Sequence, residues 1–271
     1  MKRILFFSIL IVSVIALTLN SCKKEEGPDT ETQSVVDNAI CEGEFTKIMP
    51  TVNNYGIKEQ GVKSLFDRSG CPSVTIDPTD TLNGFPVTMV IDYGTAGCAA
   101  GSVDGKVRKG MIQSTFYSSW DSIGAKVVVK LIDYYVNDVK YVVDSITITR
   151  SALYAFTVDI KGGKCTSPSW ALEWASNRTL TQVGGTGDLD PQNDVFSLTG
   201  TADGKNRNGK KYTNNIVVPL IKKSSCSWIE TGKFELTPEG LNSRTVDFGN
   251  GLCDPKATVT IGGNTFQINM N

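Results

Sequence analysis

The apolar positions of this chain fall into three regimes. Residues 5–19 form an apolar run broken only by Ser8, Ser13 and Thr18. A run of this length suits the core of a secretory signal and falls short of the roughly twenty apolar residues of a membrane span. Residues 34–49 carry Val35, Val36, Ala39, Ile40, Phe45, Ile48 and Met49. Their recurrence every few residues predicts an amphipathic helix that packs on the main domain. Thr32 or Ser34 stands where a cap is needed, and Pro50 is placed to end or kink the helix.

Beyond about residue 67 the pattern changes to short runs rich in Val, Ile, Thr, Tyr and Phe, separated by clusters of Gly, Asn, Asp and Pro. They lie at 73–76, 85–93, 109–116, 126–135, 140–149 and 155–160, then at 195–200, 212–221, 228–236, 244–248, 257–261 and 265–270. Such runs predict strands. Asn137-Asp138 and Gly262-Gly263-Asn264 supply the turn chemistry of tight hairpins. The expected fold is mainly β: antiparallel sandwich or barrel modules with one N-terminal amphipathic helix. No alternation of strand and helix supports a doubly wound nucleotide-binding fold.

What precedes the helix gives an address. Lys2 and Arg3 open the apolar run, and Leu19-Asn20-Ser21-Cys22 follows it. That tetrapeptide resembles the bacterial lipobox, which implies cleavage before Cys22 and lipidation of Cys22. The expected division is a signal peptide over 1–21, a lipidated Cys22 with a flexible tether over 22–33, a helical segment over 34–66 and a β-rich region over 67–271. The last divides into two related modules at about 67–185 and 186–271. Lys24-Glu25-Glu26 is similar to the signal that carries Bacteroidetes lipoproteins to the outer face of the outer membrane. The expected location is therefore the bacterial outer membrane, lipid-anchored, at the cell surface.

Composition narrows the chemistry. Cleavage leaves 250 of the 271 residues and moves the net charge from −1 to −3. A weakly acidic chain offers no basic patch for nucleic acid, so the expected partner is the membrane, through the lipid anchor alone. The chain has no histidine, which removes Ser-His-Asp and Cys-His nucleophiles, histidine-ligated zinc and imidazole acid–base catalysis. No cofactor is implied. With Cys22 lipidated, Cys41, Cys71, Cys98, Cys165, Cys226 and Cys253 remain. An even set in an exported chain reads as disulfides, and without Cys-x-x-Cys it does not read as a zinc or thioredoxin-like site.

Two cassettes recur. Cys71 and Cys98 lie 27 residues apart, as do Cys226 and Cys253; Asp92-Tyr93-Gly94 and Asp247-Phe248-Gly249 stand at the same distance before the second cysteine of each pair. Equal spacing and shared context favour Cys71–Cys98 and Cys226–Cys253, which close short loops. Cys41–Cys165 follows by elimination, tying the helix to the sheet, although a buried reduced pair would serve equally as core. The second cassette, Asp-Gly-Lys-x-Arg-x-Gly, occurs at 104–110 and 203–209 and reads as a hairpin loop with charged tips. A phosphate-binding loop would need a helix after it.

These motifs together resemble a family of Bacteroidetes lipoproteins. The resemblance rests on Asp37-Asn38 opening the helix, the segment Phe85 to Gly94, both cassettes, Thr199-Gly200-Thr201, Cys226-x-Trp228-Ile229 and the segment Asp247 to Asp254. It covers most of the mature chain, and implies location and a shared architecture without supplying an activity.

Candidate chemistry beyond this is sparse. Asp188, Asp190 and Asp194 alternate in a way that offers oxygen ligands to calcium, but the loop lacks a closing Glu and reads better as a solvated turn. Trp120, Trp170, Trp174 and Trp228, with Tyr134 and Tyr135, are candidates for a glycan platform or for core. Thr81, Ser122 and Ser145 each follow Asp and precede an aliphatic residue, a pattern similar to Bacteroidetes O-glycosylation acceptors. The expected function is a binding or structural role, adhesion-like, toward a protein or glycan ligand, rather than catalysis. Its rival is an extracytoplasmic carbohydrate-active enzyme using paired carboxylates.

Replacing Cys22 tests the address. Cys22→Ser should leave the chain unlipidated and move it to the soluble fraction on membrane fractionation. Membrane retention after verified signal cleavage would sink the anchor.

Overall fold

The computed structural model describes residues 27–59, 71–77, 84–99, 104–188, 190 and 192–270. Cys22, Lys24-Glu25-Glu26, the signal segment and Thr81 lie outside the described residues. Within the unit Glu31–Asn271 the fold is mainly β, with one antiparallel sheet of fourteen strands and, among the described residues, a single helix, α1 (Gln33–Glu59).

The first strands are β1 (Ser73–Asp77), β2 (Val87–Asp92), β3 (Arg108–Phe116), β4 (Lys126–Val136), β5 (Val139–Val142) and β6 (Ser145–Ala152). The middle of the sheet is β7 (Ala155–Ser167), β8 (Trp170–Gly184), β9 (Val195–Lys205) and β10 (Lys211–Lys223). The last four are β11 (Thr231–Pro238), β12 (Arg244–Asn250), β13 (Lys256–Ile261) and β14 (Asn264–Asn269). Sheet neighbours are sequence neighbours throughout, except that β5 and β6 both lie between β4 and β7 as one strand interrupted at residues 143–144. β8 and β9 pair along most of their length, so the ladder is continuous across residues 185–186.

Most strands alternate buried and less buried positions, as expected when one sheet face is dry. The helix decides how that face is used. Glu42 and Glu44 point about 200° apart on an α-helix, yet each meets an arginine of the sheet. Arg108 at the start of β3 holds Glu44 through Nε (3.1 Å) and Nη2 (2.9 Å). Arg178 of β8 holds Glu42 through Nε (2.9 Å) and Nη2 (2.6 Å). The sheet therefore lies on both sides of α1 and curls around it. Of helix residues 33–55, only Gly43 is exposed.

This corrects the picture of a helix resting on the domain by one face. Its apolar side, with Val35, Phe45, Ile48, Met49 and Val52, is buried, and so are Ser34, Asp37, Asn38, Glu42, Glu44 and Asn53. Phe45 stacks on Trp174 (5.3 Å) and meets Tyr141 edge-on (5.5 Å), joining β8 to β5 through the helix. Asn38 accepts from the Trp174 indole (3.0 Å) and Asn53 from that of Trp120 (2.8 Å). Thr32 stands at the cap position as expected, its carbonyl accepting from the Val35 (3.0 Å) and Val36 (3.2 Å) N–H groups. The capping side chain is that of Glu31, which accepts from the Ser34 backbone N–H at 2.7 Å and from its hydroxyl at 3.0 Å. Pro50 lies within the helix, which continues to Glu59.

The cysteine cassette resolves into repeated geometry. Asp92 accepts the N–H of Gly94 (2.7 Å) and Asp247 that of Gly249 (2.9 Å), with both glycines at positive φ (69° and 86°), where glycine is the unstrained choice. Cys71–Cys98 and Cys226–Cys253 are bonded, each with Cα atoms 5.8 Å apart. The expected Cys41–Cys165 bridge is not formed. Both are buried free thiols with sulfurs 2.9 Å apart, beyond the roughly 2.05 Å of a disulfide, and burial raises the Cys41 thiol well above its ordinary range. In the other cassette Arg207 sits in the β9–β10 hairpin turn as expected, whereas Arg108 opens β3. Both side chains turn inward: Arg108 reaches Glu44 and Arg207 reaches Asp37, one heptad earlier on the helix (Nε 2.8 Å, Nη2 2.6 Å).

Removing one partner of a buried pair leaves an uncompensated charge, whereas removing both leaves an ordinary core. Arg178 also donates to the Gly200 carbonyl (2.6 Å) and Asn214 (3.0 Å). Arg178→Met should cost about 3–5 kcal/mol in urea unfolding, and Glu42→Met with Arg178→Met should recover most of it. A loss below about 1 kcal/mol for the single variant would show that Glu42 does not depend on Arg178.

Candidate functional site

The exposure of Gly43 marks an opening in the wrap. Asn38, Ala39, Glu42, Gly43, Thr46 and Lys47 of the helix form one wall of a cavity of about 330 Å³. The helix wall is low because Ala39 and Gly43 sit one above the other at a spacing of four, and a Cβ built on Gly43 would meet nothing within 4 Å. The opposite wall is apolar, built from Trp228, Ile229, Phe234, Phe248 and Met270. Phe234 and Phe248 come from paired strands β11 and β12, their ring centroids 5.7 Å apart. Asp104 and Lys106 close the cavity from the β2–β3 connection, and the exposed Lys256 and Asn269 stand at its rim.

The outer wall is held by chemistry visible in the sequence. Ser227, Trp228 and Ile229 directly follow Cys226, and Asp254, Pro255 and Lys256 directly follow Cys253. The Cys226–Cys253 disulfide thus staples together the two loops that line the cavity. Lys222, at the end of β10, donates to the carbonyls of Cys226 (2.7 Å) and Trp228 (3.3 Å) and braces the first loop from inside.

One end of the cavity is rich in cations. Lys47 pairs with Asp104, and Asp104 also receives Arg108 through Nη1 (3.1 Å) and Nη2 (2.8 Å). Glu44 is held by Arg108 and by the Tyr134 hydroxyl at 2.6 Å. Burial first, and Lys47 second, pull the Lys222 amine down to about 7; Lys106 adds to this, and Asp104 and Glu230 oppose it. Burial and Lys47 also lower Lys106. Among the described residues, the Lys106 ammonium has no hydrogen-bond or ion-pair partner. At the other end Asn38 is fully buried, its Oδ1 taken by Trp174 and its Nδ2 without an acceptor.

Several residues singled out in the sequence do not converge. Trp120, Trp174 and Tyr134 are core. Trp170 lies under the Arg207 guanidinium at 5.0 Å, and Tyr135 faces Lys140 at 5.4 Å. Of the proposed platform only Trp228 reaches the cavity. The acidic loop is a network of turns: Asp188 accepts from the Asp190 N–H (2.9 Å) and Asn193 (2.9 Å), and Asp190 from the Gln192 N–H (3.0 Å). Asp194 instead turns inward to Gln182 (2.7 Å), and burial with Asp188 and Asp190 nearby raises it to about 6. Among the described residues no group of three or more His, Cys, Asp or Glu side chains could hold a metal ion, so the calcium candidates do not assemble a site. Ser122 is exposed between β3 and β4, and Ser145 is half-buried at the start of β6.

No family model matches the chain, and no curated protein and no solved structure matches it.

The cation-rich end makes a prediction with a definite sign. Between about 7 and the ordinary 10.5, the unfolded chain holds the Lys222 proton and the folded chain does not. The unfolded state binds more protons, so this group's effect on stability becomes more favourable as pH rises through that window. The stability of the wild type relative to Lys222→Met should therefore climb across it in urea titrations. A constant difference would remove Lys222 from the electrostatics of the cavity.

Proposed function

We propose that this protein is a lipid-anchored binding protein of the bacterial outer membrane, displayed at the cell surface, that holds a small ligand in the cavity beside Gly43. The observation that carries the reading is the opening beside Gly43, the one exposed position among helix residues 33–55. There a cavity of about 330 Å³ lies between a bare helix face and an aromatic wall. That volume falls at the lower end of small-molecule sites, roughly 300–1,000 Å³, which are apolar with a few placed polar groups. The anchor reading rests on the lipobox-like sequence at Cys22. The two disulfides are in keeping with an oxidising compartment.

Binding is favoured over catalysis by what lines the cavity. Two of its three carboxylates, Glu42 and Asp104, are engaged by Arg178 and by Arg108 with Lys47, which suits a structural anion better than a proton-transferring one. The walls are braced by a disulfide and a half-buried lysine, so the cavity is formed before a ligand arrives, which lowers the cost of binding.

A neutral apolar probe tests this. N-phenyl-1-naphthylamine should bind the soluble Cys22→Ser protein, purified without detergent, with enhanced fluorescence. Gly43→Leu fills the space where a Cβ meets nothing and replaces a helical glycine, so stability should hold or rise by up to about 1 kcal/mol. Probe affinity should fall at least about tenfold, equivalent to about 1.4 kcal/mol. Unchanged probe binding in a folded Gly43→Leu protein would refute the cavity as the site.

A further inference from the structure

We propose that the ligand is an anionic amphiphile, its head group among Lys47, Lys106 and Lys222 and its apolar chain laid along Gly43 and Ala39 against Trp228, Phe234, Phe248 and Met270. This rests on the reading of the cavity as a ligand site and adds the chemistry of what fills it.

Charge is the first argument. Lys47, Lys106 and Lys222 line one end of the cavity with Asp104, beside the Arg108–Glu44 pair. Both carboxylates are shared: Asp104 takes Arg108 and Lys47, while Glu44 takes Arg108 and Tyr134. Lys222 is answered by backbone carbonyls and, at longer range, by Asp104 and by Glu230, whose hydrogen-bonded partner is Lys223. Burying cations without matching anions is costly, and a bound anion would supply the missing countercharge where water is partly excluded. Of the other acids of the lining, Glu42 is held by Arg178, and Asp254 accepts the Lys256 N–H in its own turn at 2.9 Å. It does not answer the lysines through that oxygen.

The wall points the same way independently of charge. Trp228, Ile229, Phe234, Phe248 and Met270 present hydrocarbon, aromatic faces and sulfur across from Ala39 and Gly43. A glycan would set hydroxyls against a surface with almost no hydrogen-bonding capacity, at a cost for each group desolvated without a partner. A short alkyl chain buries apolar surface there instead. Cations at one end and hydrocarbon along the side select a molecule with a single anionic head.

Competition against N-phenyl-1-naphthylamine on the soluble Cys22→Ser protein separates head group from tail. Decanoate or decyl phosphate should displace the probe at concentrations at least about tenfold below those needed for 1-decanol or decylamine, as charge-assisted hydrogen bonds of roughly 1.5–3 kcal/mol predict. The two anions compared with each other tell a carboxylate site from a phosphate site. Lys106→Gln, which leaves the Lys222 brace in place, should cut the preference for the anions over 1-decanol at least about threefold, equivalent to roughly 0.7 kcal/mol, with folding checked by urea unfolding rather than by probe binding. Decanol matching the anions, or the folded Lys106→Gln protein keeping the full preference, would overturn the head-group assignment and leave the cavity reading standing. Failure of the wild type to bind the probe would overturn both.

Discussion

A helix carrying Asp37, Glu42 and Glu44 cannot be enclosed in a β-sheet unless the sheet brings cations with it. An ionised carboxylate moved from water into a dry interior is unfavourable by several kcal/mol even after relaxation. Here each carboxylate receives a forked guanidinium, with Arg207 on Asp37, Arg178 on Glu42 and Arg108 on Glu44. Those contacts come from different strands and turns, and they oblige the sheet to curl until both sides of the helix are met. The interior is thus a polar axis sheathed in apolar layers. Trp174, Tyr141, Trp120 and Tyr134 fill the space between the ion pairs and give their polar tips or faces to the helix.

The same requirement explains what the sequence displayed and what it concealed. Strands whose inward positions are Val, Ile or Phe, such as β2, β6 and β13, announce themselves by alternation. β8 does not. Its inward positions run Leu172, Trp174, Ser176, Arg178 and Leu180, and a serine and an arginine in the middle erase the period-two signal although this is among the longest strands. The helix was legible from its apolar face alone, and its polar face read as solvent-facing because the partners lie 64, 136 and 170 residues away. The equal 27-residue spacing of the cysteines revealed two bridges, since that is a local property. The cavity had no local signal beyond Ala39 and Gly43 at a spacing of four.

The cavity is consistent with this architecture rather than an accident of loose packing. A wrapped sheet needs somewhere for its last strands to meet the connection leading into β3, and that is where the lysines gather and where Gly43 is uncovered. A larger residue at Gly43 would extend the core into this space. The loops after Cys226 and Cys253 keep it open from the other side.

The sheet's simple order has a consequence for how the chain reaches this state. Adjacent strands are consecutive, so β-pairing can zip forward through short loops at modest entropic cost. The helix is the opposite case: it is synthesised before every strand, and its contacts close loops of 64 residues to Arg108, 136 to Arg178, 170 to Arg207 and, from Glu31 just before it, 213 to Arg244. Its carboxylates must therefore stay hydrated until the later parts of the chain bring up their partners one after another. A chain halted before β8 holds strands that can pair, around a helix that they cannot yet afford to bury.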